Sequence, residues 1–360
     1  MRERTVTIRE VAAAAGVSTA TVSRTLSPDG AEGVSEETRL RVFAAASKMG
    51  YRANHAARSL KTRSSRTVGI IAPELTNDFF MDLAEGIAGE LERQGYTLLV
   101  ASSANSVEEE KKRVAMLAER MVDGMVVIPA GSRGDHLAAR ALRRTPVVLV
   151  DRLVEGADVD AVLSDNEGGA YELTRRLLAD GFRRICFVGG DAAISTARER
   201  IAGFSRAMLE AGLHLNGETI RSGGMEVRDG YTGMGAVLES PSPPDALVAV
   251  NLLVHLGMER RLLEYRRRPG RVLPVIAAFD ETAYTPFLPA CRYTAAQDAA
   301  AMGKEAVRRI LERIAERRTV EKSPVGRSPL AGEETGGERI IRLPVTIVRY
   351  RGSQEDRRRR

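Results

Sequence analysis

The spacing of apolar side chains divides the chain into two kinds of segment. Ile8, Val11, Ala12 and Ala15 recur at the interval that places them on one face of a helix. Thr7 and Glu10 have the spacing of a capping box, in which hydroxyl and carboxylate satisfy the orphan amides of the first turn. Gly16 ends that helix where a left-handed residue is least strained, and Ser18 is placed to cap the next one. In the second helix Val22 and Leu26 are predicted to point inward, which leaves Thr19, Ala20, Ser23 and Arg24 outside. A third amphipathic segment is capped by Ser35 and carries Glu36 and Glu37 in its first turn, with Leu40, Phe43 and Ala44 predicted to face in. Three helices of this size close one small core. From Val68 onward the period changes: the runs VGIIAP, TLLVAS, GMVVIP, PVVLVD, AVLSD, RICFVGG, ALVAV and PVIAAFD alternate with amphipathic stretches. Continuous Val, Ile and Leu separated by helices is the pattern of parallel strands covered on both faces. Two such sheets are expected, so the fold class is α/β with an all-α helix-turn-helix segment at the N-terminus.

Charge separates the two segments further. Residues 1 to 66 hold twelve Lys or Arg against six acids, a net of +6 that equals the formal charge of the whole chain. Because Arg357 to Arg360 add four more positive charges, the intervening body carries a net of −4. A basic head on a mildly acidic body fits a phosphate-binding module joined to something with a different partner. The sequence contains no apolar run long enough to cross a bilayer and its N-terminus is charged and helical rather than a signal peptide, so a cytoplasmic protein without a membrane partner is expected. Cys186, in a strand-like run, and Cys291, after a Pro-rich turn, read as reduced structural residues.

Catalysis finds little support in the residues. His55, His136, His214 and His255 lie far apart with no metal-ligand spacing, FVGGD lacks the dinucleotide fingerprint, and Ser195 has no motif-level base partner. No catalytic residue, metal or cofactor is assigned, and the chain is expected not to be an enzyme.

The run VSTATVSRTL, followed by VSEETRLRVFAAASKMGY and then by NHAARSLKTRSSRTVGII, resembles the head and hinge of the lac repressor and purine repressor family of bacterial transcriptional regulators, and the resemblance continues to about Tyr350. It implies a helix-turn-helix head over 1–52, a hinge helix and linker over 53–66, and over 67–350 a two-lobed body with the periplasmic sugar-binding fold. Lobe one would take about 67–164 and 292–318, and lobe two about 165–291 and 342–350. Residues 319–338, rich in Gly, Pro, Ser and Glu, read as a long mobile loop, and 351–360 as a disordered basic tail with no leucine heptad to build a tetramer.

On that resemblance the DNA contacts are Thr7, Ser18, Thr19, Ala20, Thr21, Ser23 and Arg24 in the head and Asn54, Ala57, Arg58, Leu60 and Lys61 in the hinge. The second helix would enter the major groove, where Arg24 has the geometry to donate two parallel hydrogen bonds to guanine O6 and N7; a phosphate contact is its alternative role. Ala20 departs from relatives that carry a longer polar side chain, so half-site reading falls to Thr19, Arg24 and groove shape. Leu60 matches a leucine that wedges into the minor groove at the operator centre and unstacks a flexible pyrimidine-purine step. Ala53 replaces a proline frequent in relatives, which implies a less rigid start to the hinge.

The same resemblance places effector contacts at Phe79, Phe80, Asp151, Arg152, Thr196, Arg200, Asn251 and Asp280. Asp151 and Asp280 also end strand-like runs, where open α/β sheets form their clefts. Strand-end acids also cap helices and arginines also brace hinges, so each of these positions keeps a structural alternative. Asn251-Leu252 stands where relatives usually read Asn-Asp, and Ile194 stands where purine repressors carry an arginine, which argues against a nucleobase. Asp151, Asp280 and Arg200 together suit vicinal hydroxyls, and Arg200 also suits a carboxylate, so a sugar or sugar acid is the expected effector. The function implied is a homodimeric repressor on a palindromic double-stranded operator, with the effector acting as inducer or corepressor. The alternative, a periplasmic-type solute-binding protein, leaves residues 1 to 66 without a use.

Overall fold

Side-chain caps decide where the N-terminal helices begin. Thr7 N donates to Glu10 Oε2 at 2.8 Å and Thr7 Oγ1 accepts from Glu10 N at 3.4 Å, which starts α1 (Ile8–Ala15); Gly16 ends it at φ 65°. Ser18 Oγ accepts from Thr21 N at 3.1 Å and starts α2 (Thr19–Thr25). Ser35 Oγ accepts from Thr38 N at 3.4 Å and starts α3 (Glu36–Lys48). Val11, Ala12, Ala15, Val22, Val42, Ala45 and Ala46 form the core of this unit, Met1–Ser65; Arg66–Arg360 forms a second. The structure, a computed structural model, describes residues 6–26, 33–51, 64–138, 142, 145–265, 273–322 and 339–350.

The inward face expected for α3 is corrected. Leu40 is 62% and Phe43 47% exposed, and Ala44 is exposed as well, whereas Val42, Ala45 and Ala46 are buried. Two apolar stripes compete along this helix. The one through Val42, Ala45 and Ala46 continues into Met49 and Tyr51, which pack on the same core, while the one through Leu40, Phe43 and Ala44 ends at exposed Ser47. In α2, Thr25 is buried beside Val22 and Leu26 is only half-buried.

In the second unit the strands are β1 (Thr67–Ala72), β2 (Thr97–Ser102), β3 (Gly124–Val127), β4 (Val147–Val150), β5 (Asp160–Ser164), β6 (Ile185–Val188), β7 (Ile220–Arg221), β8 (Ala246–Ala249), β9 (Val275–Phe279), β10 (Cys291–Ala296), β11 (Ile340–Leu343) and β12 (Thr346–Arg349). The helices between them are α4 (Asp78–Arg93), α5 (Val107–Glu119), α6 (Asn166–Ala179), α7 (Ser195–Glu210), α8 (Val227–Leu238), α9 (Leu252–Tyr265) and α10 (Ala299–Lys322). The strands make two sheets of the same design, in the orders β11-β5-β4-β3-β1-β2 and β12-β10-β9-β8-β6-β7. Pairing is parallel throughout except between β10 and β12. β3, β4 and β5 are fully buried, as a strand covered by helices on both faces must be, but β2 is an edge strand with Leu99 and Val100 exposed.

The chain passes between the sheets three times: from β5 to α6, from β10 to α10, and from β11 to β12. Two expected lobe limits move accordingly. The strand at 291–296 pairs with β9 in the second sheet rather than opening the return to lobe one, which begins with α10. Residues 342 and 343, expected in lobe two, belong to β11 and pair with β5 of the first sheet. Composition hid both boundaries, because a short strand such as β10 or β11 carries no mark of which sheet it joins. Helix α10 runs to Lys322, so the beginning of the segment expected as a loop is helical, as its Glu, Lys and Arg content favours. The remainder of that loop, the hinge positions Asn54, Ala57, Arg58, Leu60 and Lys61, and the tail lie outside the described residues. No helix among the described residues is long and apolar enough to cross a membrane.

Close packing of α6 on α7 requires a glycine at the contact. A Cβ on Gly203 would lie 2.1 Å from the Glu167 carbonyl oxygen, so only a bare Cα lets the two helices meet. For α3, Val42→Ala should destabilise the head by about 1–2 kcal/mol, while Phe43→Ser should leave its stability within about 0.5 kcal/mol. Hydrogen exchange of head amides in the full-length protein separates this face from the opposite one.

Candidate functional site

In the head, the outer face of α2 is built by its own capping. With Ser18 Oγ accepting from Thr21 N and lying 2.9 Å from Thr21 Oγ1, the first turn is rigid, and Thr19, Ala20, Ser23 and Arg24 stand exposed beside it. Thr7, also exposed, is committed to the N-terminus of α1 by its capping box. A rigid helix presenting a hydroxyl, a methyl and a guanidinium on one face can read base edges by hydrogen bonding and apolar contact.

The second unit places its acidic candidates at the carboxyl ends of equivalent strands, and Arg200 within α7. Asp151 follows β4 and Asp280 follows β9, the third strand in each sheet order, and both adopt left-handed backbone, at φ 68° and 71°. Non-glycine residues held there are strained, and such strain concentrates at functional sites. Asp151, Arg152, Arg200 and Asp280 are each less than a tenth exposed. Arg200 is fixed on three sides: Nε donates to Asn166 Oδ1 at 2.8 Å, Nη1 donates to the Val250 carbonyl at 2.8 Å, and the guanidinium lies 3.8 Å from the Phe279 ring centroid. Arg152 Nη1 donates to the Pro129 carbonyl at 3.1 Å, and its Nε lies 3.7 Å from Asp151 Oδ2. Asp280 Oδ2 accepts from Leu252 N at 3.2 Å and Oδ1 from Gln297 Nε2 at 2.6 Å.

Electrostatics follow from burial. Desolvation pushes the Asp151 carboxyl up to about 6, with Arg152 and Arg200 opposing the rise and Asp280 and Glu199 adding to it. Desolvation likewise lowers both arginines, and the neighbouring carboxylates oppose that fall. Asp151 Oδ1, Arg152 Nε and Gln297 Oε1 are buried and make no hydrogen bond within the protein. Buried polar atoms of this kind are expensive unless a ligand or water satisfies them, so they point to a place for a small polar molecule. The two lobes meet directly beside it, where Leu153 N, after β4, donates to Ser195 Oγ at the start of α7, at 2.8 Å.

The remaining candidates divide. Thr196 is buried in the first turn of α7. Phe79 and Phe80, 5.6 Å apart, both pack in the first lobe's core, and Phe80 also faces the Arg152 guanidinium at 5.8 Å. Asn251 braces the scaffold: Oδ1 accepts from Val254 N at 2.9 Å and Nδ2 donates to the Met225 carbonyl at 3.0 Å. Sequence reasoning missed Asn166, Gln297, Ser195 and Glu74. The strand-end rule reaches Asn166 and Gln297 once β5 and β10 are recognised as strands of different sheets, but Glu74 carries no sequence signal. Its carboxyl is raised by burial and by Glu226 on the opposite lobe, with Arg152 opposing. Cys186 and Cys291 are buried free thiols, and burial pushes Cys186 up to about 11 and Cys291 higher still.

Comparisons with known proteins agree with the division of the chain and with its fold. Residues 7–54 match the family described as bacterial regulatory proteins, lacI family, and residues 65–325 match periplasmic binding proteins and sugar binding domain of LacI family. The chain is 31% identical to the HTH-type transcriptional repressor PurR of Aliivibrio salmonicida over 324 residues, covering 88% of this chain and 96% of the relative. Among solved structures it is similar to a putative ribose operon repressor from Burkholderia thailandensis, with TM-score 0.67 and 29% identity over 79% of this chain and 99% of that one. It also shares the fold of the lac repressor dimer bound to operator and the anti-inducer ONPF, with TM-score 0.79 and 23% identity over 96% of this chain and 98% of that one.

The Asp151 value sets a pH dependence. Hydroxyl donors bind the ionised carboxylate, so their affinity should rise with pH and level off above about 6. A sugar bound through Asp151 should bind about tenfold more weakly at pH 5 than at pH 7, and calorimetric titration at both values checks this.

Proposed function

The chain belongs to the lacI family of bacterial regulatory proteins, whose members are transcriptional regulators rather than enzymes, and on that premise we propose that it is a homodimeric repressor whose operator affinity is set by a sugar or sugar acid in the interlobe cleft. One observation supports the effector site above the others. Two acids and Arg152 at equivalent strand ends are buried together with Arg200 of α7, and polar atoms of Asp151 and Arg152 are left without a hydrogen bond within the protein.

Their arrangement favours a hydroxyl-rich ligand. Asp151 and Asp280 accept from hydroxyls, while Arg200, with Nε and Nη1 already engaged, keeps Nη2 for a ligand oxygen. A purine is the second reading, suggested by the relatives named PurR. Against it stands Ile194, half-buried on the second lobe's apolar core, where it offers a base edge no donor.

Pairing of two copies is supported by exposed apolar surface. Leu99 and Val100 on the edge strand β2, and Tyr284 and Phe287 after β9, are exposed apolar side chains of the kind that a partner surface covers. A two-fold dimer would present two α2 faces to the half-sites of a palindrome, and effector binding and DNA binding would bias one another reciprocally. Regulators of this kind act on DNA inside the cell, which is where we place the chain.

The test begins with selection of bound duplexes from a random pool by the full-length protein, in moderate salt to suppress nonspecific phosphate binding. Enrichment of a palindrome with a flexible centre supports the reading. Absence of enrichment, both alone and with D-ribose, D-galactose, D-glucuronate, hypoxanthine or guanine added, removes it. Against the selected duplex, Arg200→Ala should keep DNA binding and lose the response to sugar; a preserved response takes Arg200 out of the site. Leu60→Ala should weaken operator binding by about tenfold or more and leave sugar affinity unchanged, as expected if unstacking a central step is its role.

A further inference from the structure

Glu199, adjacent in sequence to Arg200, has no part in the contacts proposed so far, yet it holds a bridge between the lobes. Arg342 Nη2 donates to Glu199 Oε1 at 2.9 Å and Arg342 Nη1 to Oε2 at 3.0 Å, a two-pronged pair between β11 of the first sheet and α7 of the second lobe. Glu199 Oε2 also accepts from Asn166 Nδ2 at 3.3 Å. Asn166 is 1% exposed and opens α6 directly after the crossing from β5; its Nδ2 further donates to the Ser164 carbonyl at 3.2 Å. With both its donors thus directed, the amide turns Oδ1 toward Arg200 Nε at 2.8 Å.

We propose that Glu199 is a positioning residue for the effector arginine: clamped by Arg342 of the first lobe, it fixes the amide of Asn166, which fixes Arg200, so that a ligand contact at Arg200 is coupled to the edge strand of the opposite lobe. An amide can present either oxygen or nitrogen to a neighbour, and a carboxylate on one side decides which. Nη1 of Arg200 is held by the Val250 carbonyl and its face by Phe279, so Asn166 supplies the third constraint that determines the direction of Nη2. A bidentate arginine-carboxylate pair is also directional, which suits a tie that must distinguish one lobe arrangement from another. The inference rests on the effector-site reading above for its purpose, but the tie itself is measurable without any effector.

The experiment uses the full-length protein and three variants: Glu199→Gln, Arg342→Met, and the charge-exchanged pair Glu199→Arg with Arg342→Glu. In the absence of ligand, hydrogen exchange of the β11 amides should rise about tenfold or more in each single variant and return toward wild type in the exchanged pair. Titration with D-ribose and D-galactose gives the second readout. Arg342→Met should weaken sugar binding, and the exchanged pair should stay weak, because the introduced arginine cannot accept from Asn166 Nδ2. β11 exchange unchanged in both single variants, or a pair that restores exchange and sugar binding together, overturns the proposal; the latter would mean a structural ion pair only. Should wild type bind neither sugar, these two are excluded as effectors, and the exchange data still decide whether the tie exists.

Discussion

Burying two arginines and two aspartates in one space between two sheets is the constraint on which the rest of this molecule depends. Charges taken out of water are tolerated only when opposite charges and hydrogen bonds replace the lost hydration. Arg200 meets that demand through Asn166, the Val250 carbonyl and the Phe279 ring, and Asp280 through Leu252 N and Gln297. Asp151 meets it only in part, which is why its carboxyl rises to about 6 and its Oδ1 is without a partner. The incomplete compensation is informative. A site that exists only to hold the lobes together gains nothing from an unsatisfied buried oxygen, whereas a site built for a polar ligand gains its affinity by completing the set.

The geometry that assembles these groups comes from repetition. Both sheets use one strand order, both carry an aspartate in left-handed backbone after the corresponding strand, and the chain crosses between them at short linkers. Parallel strands direct their carboxyl ends to one side, so two sheets of one design that face each other bring two sets of strand ends together. Asp151 and Asp280 need no special loop to converge.

Much of this was legible in the chain. Each of the eight apolar runs became a strand, seven of them because a strand covered on both faces has to be apolar without interruption, while TLLVAS became the partly exposed edge strand β2. Asp151 and Asp280 were legible as strand ends for the same reason. What resisted was information held by packing. In α3 two apolar stripes compete, and the larger residues Leu40 and Phe43 attract attention, but the core needed the small side chains of Ala45 and Ala46 against the alanines of α1. Membership of β10 and β11 in one sheet or the other is decided by linkers whose composition says nothing about direction. Asn166 and Glu199 escaped because their importance lies in each other, across 33 residues of sequence.

Short crossings give the body few ways to move, and this bears on how a small ligand could change the arrangement of its lobes. Three linkers join the lobes, so sliding in which they travel independently is restricted, and rotation about the linkers is the motion the topology leaves. Contacts that span the lobes then act as a record of that rotation. The Leu153 to Ser195 hydrogen bond and the Glu199 to Arg342 pair are two such contacts, one beside the buried charges and one next to the crossings. A ligand that binds Arg200 from one lobe and Asp151 from the other would favour the arrangement in which both contacts are made. Its differential affinity for that arrangement is the whole of the free energy available to shift the first lobe, since a ligand bound equally well in two states shifts neither.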